Sequence, residues 1–350
     1  MRFDTIRRGL LMRRGLATWG AGLLLAALSA QAFGATNIVS EKFMIPALDP
    51  GIELQVLNRH SASIGKFAPE RVVLFVHGAT FPVAAAFDMD LPGGSWMANI
   101  AQRGFDVYAV DVRGYGGSTR PAAMDQDPSA NPPFAVTRDA VRDVSAAVAF
   151  ILKRRSIERL NIIGWSWGTT TMATYAAENP AKVVKVVLFG PVWLTERRPQ
   201  YQGAYRTGTR ESVRTQTTAG LPKDRLEEIS PSAWYDKWWT VVQSTDPVGA
   251  KRTPPVIRVP NGVFKDLSEY WGSGKPFYDP AAIRAPTLLV VGEWDVTTPP
   301  AGAQELLKHL TGSKDRRLLI LAEGSHQMSL EKNRLHLIRA VQGFLEEPVD

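Results

Sequence analysis

Short runs of branched and aromatic apolar residues punctuate this chain, and between them apolar positions return every three to four residues. Residues 72–76, 107–112, 160–163, 183–189, 287–291 and 317–321 have the length and composition of strands buried on both faces. Residues 138–154 place Val141, Val144, Val148 and Ile151 on one helical face, and residues 303–310 and 333–345 follow the same period. Upstream, residues 39–59 read as an antiparallel hairpin around the turn Asp49-Pro50-Gly51. Strands alternating with helices predict an α/β fold, with a mostly parallel central sheet, right-handed crossovers and helices on both faces.

The alternation stops between Val192 and Ala285, where the chain becomes rich in Trp, Tyr, Arg and Pro. We therefore expect a core in two parts, residues 33–192 and 286–350, with residues 193–285 inserted as a cap. Ligands in open α/β sheets bind at the carboxyl ends of the strands, beneath such an insertion. Trp234, Trp238, Trp239 and Trp271 are the cap side chains expected to line an apolar substrate pocket. The alternative for each is packing of the cap onto the core.

The chemistry concentrates in Leu160-Asn161-Ile162-Ile163-Gly164-Trp165-Ser166-Trp167-Gly168, an apolar strand running into a G-x-S-x-G pentapeptide. Chance supplies such a pentapeptide in roughly one chain in ten of this length, so its weight comes from its context. A hydroxyl at a sharp strand-to-helix turn stands clear of the backbone, and flanking glycines leave room where strand and helix crowd. Ser166 is the candidate nucleophile. A serine hydroxyl is weak at neutral pH and needs a base, which in turn needs a carboxylate to fix its tautomer. Asp295 follows the strand at 287–291 and His326 follows the strand at 317–321, giving the order Ser, Asp, His. Glu293 is the rival acid, and only His326 among the five histidines follows a strand late in the chain. After the strand at 72–76, His77-Gly78-Ala79-Thr80 forms a small turn whose backbone can face a developing oxyanion. The N–H groups of Ala79 and Trp167 are the expected donors. His77 is expected to brace that loop.

With H-G-A-T, D-V-R-G-Y-G-G-S at 111–118, G-W-S-W-G, V-G-E-W-D and G-S-H in this order, the chain resembles α/β-hydrolase fold serine hydrolases over residues 39–345. The resemblance implies a structural role for the turn carrying Asp111, Arg113, Gly114, Gly116 and Ser118. Serine at the elbow sets the chain apart from haloalkane dehalogenases and epoxide hydrolases, which place an aspartate there. The W-S-W-G sequence is similar to that of proline iminopeptidases, but Ala79-Thr80-Phe81-Pro82 departs from their glycine-proline-rich oxyanion loop. The reading is a serine hydrolase, probe-reactive and cofactor-free, acting on a small-molecule ester, thioester, lactone or small amide, with ester preferred. An aminopeptidase, a C–C hydrolase, a perhydrolase and a non-catalytic binding protein of the same fold remain the alternatives.

The N-terminus differs in character. Arg2, Arg7, Arg8, Arg13 and Arg14 precede an uncharged apolar stretch at 16–28 and Ala30-Gln31-Ala32, the pattern of a signal peptide over residues 1–32. Thr5-Ile6-Arg7-Arg8-Gly9-Leu10-Leu11 resembles a twin-arginine leader, with an ordinary secretory leader as the alternative. The expectation is a periplasmic or secreted protein with no membrane anchor once the leader is cleaved. Residues 1–32 carry +4 of the formal +7 charge, so the remainder offers no strongly basic surface for nucleic acid. The chain has no cysteine, which excludes disulfides, thiolate metal sites and lipid attachment through a thioether.

Overall fold

Ten strands carry the architecture, and the computed structural model describes residues 37–349. They are β1 (Ile38–Pro46), β2 (Glu53–Ser61), β3 (Val72–Val76), β4 (Asp106–Val110), β5 (Leu160–Trp165), β6 (Val183–Phe189), β7 (Tyr205–Thr209), β8 (Val256–Pro260), β9 (Thr287–Gly292) and β10 (Arg316–Leu321). Eight form one sheet in the order β1-β2-β4-β3-β5-β6-β9-β10. Only β2 runs against the others, since it pairs antiparallel with both β1 and β4 while the remaining ladders are parallel. The expected leader at residues 1–32 lies outside the described residues. Among the described residues no helix is long and apolar enough to cross a membrane.

Every residue of β3, β4, β5, β6 and β9 is buried, which explains why these strands read as continuous apolar runs. The cover comes from helices such as Thr137–Arg155, which buries Val141, Val144, Val148 and Ile151 against the sheet, and Trp167–Glu178, packed beside it. At the two margins the pattern changes. β10 pairs on one side only, begins with the exposed Arg316 and Arg317, and is nowhere fully buried, as an edge that must not recruit another strand requires.

The chain passes from β3 to β4 on one side and then returns to place β5 on the other side of β3. That reversal opens a crevice at the carboxyl ends of β3 and β5. His77-Gly78-Ala79 leaves β3 there, and Ser166 leaves β5. Between β6 and β9 the chain builds a separate antiparallel ribbon from β7 and β8, with Arg206 opposite Val259 and Gly208 opposite Ile257. Helices Arg210–Thr217, Ser232–Ser244 and Gly262–Glu269 complete this segment. The described residues fall in one compact unit, so the segment is packed onto the sheet.

Candidate active site

Ser166 has φ 54° and ψ −123°, outside the regions that L-residues ordinarily occupy, and the helix Trp167–Glu178 begins at the next residue. The flanking glycines permit this turn by close approach. A Cβ on Gly164 would lie 2.3 Å from the Gly168 carbonyl oxygen, and one on Gly168 would lie 2.6 Å from the carbonyl oxygens of Val76 and His77. The strained turn lifts Ser166 Oγ to within 2.8 Å of His326 Nε2. His326 Nδ1 lies 2.8 Å from Asp295 Oδ2.

Asp295 is buried and saturated with donors. Its Oδ1 accepts the N–H groups of Thr297 at 2.9 Å and Thr298 at 2.7 Å, and its Oδ2 accepts the Thr298 hydroxyl at 2.8 Å. These bonds hold the carboxylate in one orientation, so that the imidazole carries its proton on Nδ1 and turns a lone pair on Nε2 toward serine. Glu293, the rival acid, is exposed and accepts the Glu323 N–H instead. His60 and His309 pair with Glu41 and Glu305, and His336 is exposed, which leaves His326 as the histidine at Ser166.

The loop after β3 is tied from several sides. His77 is fully buried, donates from Nδ1 to the Gly78 carbonyl at 2.6 Å, and accepts the Val112 N–H on Nε2 at 3.1 Å. Burial pushes its pKa down, which fits a neutral bracing imidazole. Tyr115 donates to the Ala79 carbonyl at 2.9 Å, and Arg206 Nη2 donates to the same oxygen at 3.1 Å. A Cβ on Gly78 would come within 3.0 Å of Ser166 Cβ, so this loop abuts the serine. Trp167 opens its helix, where the first N–H groups have no partner within the helix. Ala79 and Trp167 both line the cavity above Ser166. The Asp111 turn is structural: its carboxylate accepts the N–H groups of Val83 and Gly117 and the Gln55 amide, and Gly116, at φ +52°, leaves no room for a side chain beside it.

Three further residues support the site and were not singled out from the sequence. Glu331 is buried and accepts both the N–H and the hydroxyl of Ser325, the residue before His326. Burial pushes its pKa up to about 7, against the lowering effect of the Ser325 bonds. Gly190, at the end of β6, faces the imidazole: a Cβ there would lie 3.1 Å from His326 Cε1. The Trp165 indole donates to the His326 carbonyl at 3.1 Å. No local pattern marks Glu331 or Gly190, because each matters only through what the fold brings beside it.

The cavity over Ser166 has a volume of about 560 Å³ and is walled by Phe81, Trp193, Val213, Ile257, Val259 and Trp271, among others. Of the four tryptophans expected to line it, Trp271 does so. Trp234, Trp238 and Trp239 do not, and the expectation is corrected for these three. They belong to the helix Ser232–Ser244, whose buried face is Tyr235, Trp238, Trp239 and Val242 at the i, i+3, i+4, i+7 period of a packed helix. Trp238 donates to the Ala85 carbonyl at 3.0 Å and sets its ring edge-on to Phe81, with 4.6 Å between centroids. It therefore stands behind the cavity wall. Among the described residues no group of three or more His, Asp or Glu side chains gathers to hold a metal ion.

A family model for the alpha/beta hydrolase fold matches residues 71–333 of this chain. The chain belongs to the alpha/beta hydrolase fold family. It is 29% identical over 259 residues to serine hydrolase BPHL of Mus musculus, covering 71% of this chain and 72% of that protein. The corresponding Homo sapiens protein is 25% identical over 316 residues, covering 85% of this chain and 93% of its own. A solved serine hydrolase from the polyaromatic-hydrocarbon-degrading bacterium Cycloclasticus zankles superposes with a TM-score of 0.60 at 16% identity, covering 89% of this chain and 98% of that one. The structural likeness concerns the fold alone. The curated relatives support hydrolase chemistry in this alpha/beta hydrolase.

Proposed function

We propose that this protein is an exported serine hydrolase that cleaves a carboxylic ester through an acyl-enzyme intermediate. The observation that carries the reading is the unbroken contact from Asp295 through His326 to Ser166, 2.8 Å at each step, opening on one apolar cavity. Ser166 Oγ adds to the ester carbonyl carbon as His326 Nε2 takes its proton, and Asp295 stabilises the imidazolium. The negative charge that grows on the carbonyl oxygen is met by the N–H groups of Ala79 and Trp167, donors fixed before the reaction begins. Collapse of the tetrahedral adduct breaks the bond to the alcohol, which leaves with the proton from His326. Water activated by the same imidazole then releases the acid and restores the serine.

An aminopeptidase reading fits less well. Among the described residues lining the cavity there is no aspartate or glutamate to hold a substrate ammonium. Thioesters, lactones and small amides pass through the same steps and are the neighbouring alternatives.

The test is covalent labelling together with turnover. An organophosphonate probe is expected to attach to Ser166 in the wild type and to leave Ser166→Ala unlabelled. Ser166→Ala is expected to lower kcat on the best p-nitrophenyl ester by about 10⁶. Mutant turnover within tenfold of wild type, or labelling that survives the substitution, assigns the nucleophile elsewhere.

A further inference from the structure

We infer that the substrate carries a carboxylate group, held in the cavity by the guanidinium of Arg206. This rests on the hydrolase reading above and adds the substrate class to it. The cavity wall contains two arginines, Arg197 and Arg206, and, among the described residues, no acidic side chain. Arg197 is exposed and donates to the Thr297 carbonyl at 3.3 Å, as a residue at the rim does. Arg206 lies deeper, half-buried on the ribbon of β7 and β8.

The ribbon's register puts Arg206 on the cavity side. Opposite residues of an antiparallel pair share a face, and Arg206 faces Val259 while Gly208 faces Ile257, all four of them lining the cavity. The next residue along β8, Arg258, points to the other face and is neutralised there by Asp246, with 2.7 Å between Nη2 and Oδ1. One ribbon thus carries two arginines with opposite treatment. Arg258 has a buried carboxylate, and Arg206 forms no ion pair among the described residues.

Every contact Arg206 does make is to a neutral group. Nη1 donates to the Pro260 carbonyl at 2.8 Å, Nη2 donates to the Ala79 carbonyl at 3.1 Å and to the Thr80 hydroxyl at 3.3 Å, and the guanidinium lies 4.1 Å from the Phe264 ring centre. These contacts fix the plane of the group while leaving Nε–H without a hydrogen bond among the described residues. Burial pushes its pKa down with no carboxylate to offset the cost. A cation held rigidly in an apolar wall is expensive unless an anion completes it, and a planar carboxylate matches the donor fork of arginine. The anchor point is the carbonyl of Ala79, on the loop that abuts Ser166. A substrate anion at Arg206 would therefore lie in the same chamber as the reacting carbonyl.

The competing account is that Arg206 only positions the loop carrying Ala79, and selectivity separates the two. Wild-type kcat/KM is compared for p-nitrophenyl half-esters of glutarate and adipate against p-nitrophenyl esters of neutral acids of matched length. A second arm places the charge on the leaving group, 4-acetoxybenzoate against 4-acetoxybenzamide. A preference of tenfold or more for the charged member in one arm is expected, and Arg206→Gln is expected to reduce that preference at least tenfold while Arg206→Lys restores part of it. No preference in either arm overturns the inference, as does an equal loss on charged and neutral esters in Arg206→Gln, which is the signature of a positioning residue. Calorimetric binding of glutarate and adipate to Ser166→Ala, with and without Arg206→Gln, reads the site when no ester is turned over. Binding that is lost with Arg206 then supports the anion site while the ester reading fails, and absence of binding to the parent protein removes the anion site.

Discussion

Glu331 shows how a residue that touches no substrate can set the conditions under which His326 is in place. Its carboxyl accepts the N–H and the hydroxyl of Ser325, one residue before His326, and it is buried where a charge is costly. Burial, seconded by the nearby Asp295 charge, outweighs the opposing effects of Ser325 and His326 to bring its pKa up to about 7 from an ordinary 4.5. The sign follows from linkage. Between pH 4.5 and 7 the folded protein keeps a proton that the unfolded chain has released, so this residue's contribution to stability falls as pH rises through that window and levels off above it. Glu331→Gln has no such proton to lose. The stability of wild type relative to this variant is expected to decline between pH 5 and 8, by on the order of 3 kcal/mol at most. Denaturant melts of both proteins at each pH check this, and parallel curves would show that Glu331 stays ionised throughout.

At the scale of elements, the helix Ser232–Ser244 and the turn that begins at Trp271 divide the labour that the sequence assigned to all four tryptophans. Trp271 forms part of the cavity wall, whereas Trp239 is buried at 6% exposure, stacked on Tyr235 with 6.4 Å between ring centres. Trp239→Ala is expected to cost roughly 3 kcal/mol of stability, the usual loss for an emptied aromatic site, and to leave the ranking of acyl lengths by kcat/KM as it was. Trp271→Ala is expected to reorder that ranking. Melting curves and an ester series on both variants decide it, and a reordered ranking in Trp239→Ala alone would reverse the assignment. The five inner strands β3, β4, β5, β6 and β9 were legible because each buries both faces and so writes its position as a run of apolar residues. The run at 107–112 proved to be a strand one residue earlier and two residues shorter at its end, Asp106–Val110, and the others moved by two residues or fewer. The ribbon was not legible. Tyr205–Thr209 holds a glycine and an arginine in five residues, and Val256–Pro260 is interrupted by Arg258, so neither shows a run. Their charges are accounted for only in three dimensions, by Asp246 on one face and by the open cavity on the other. Ser166, Asp295 and His326 were legible for the opposite reason: each follows a recognisable strand, and the order of three such positions carries the information.

For the whole molecule, the leader expected at residues 1–32 sets a test of location independent of the catalytic reading. The exported protein is expected to begin near Phe33, and replacing Arg7 and Arg8 by lysine is expected to block export by the twin-arginine route. N-terminal sequencing of the extracytoplasmic fraction checks both, and normal export of the double variant assigns the ordinary secretory route instead. The strand order carries a consequence in time as well as in space. Ser166 and His326 are 160 residues apart, and the strand that delivers His326 is the last to be made and is paired only to β9 at the margin of the sheet. A ribosome-bound chain that has emerged as far as β9 can assemble most of the sheet, Ser166 turn included, yet it lacks the group that would activate that hydroxyl. On the proposed mechanism, hydrolytic competence waits for His326, and a nascent or truncated product ending before it is expected to be an inert fold rather than a premature enzyme.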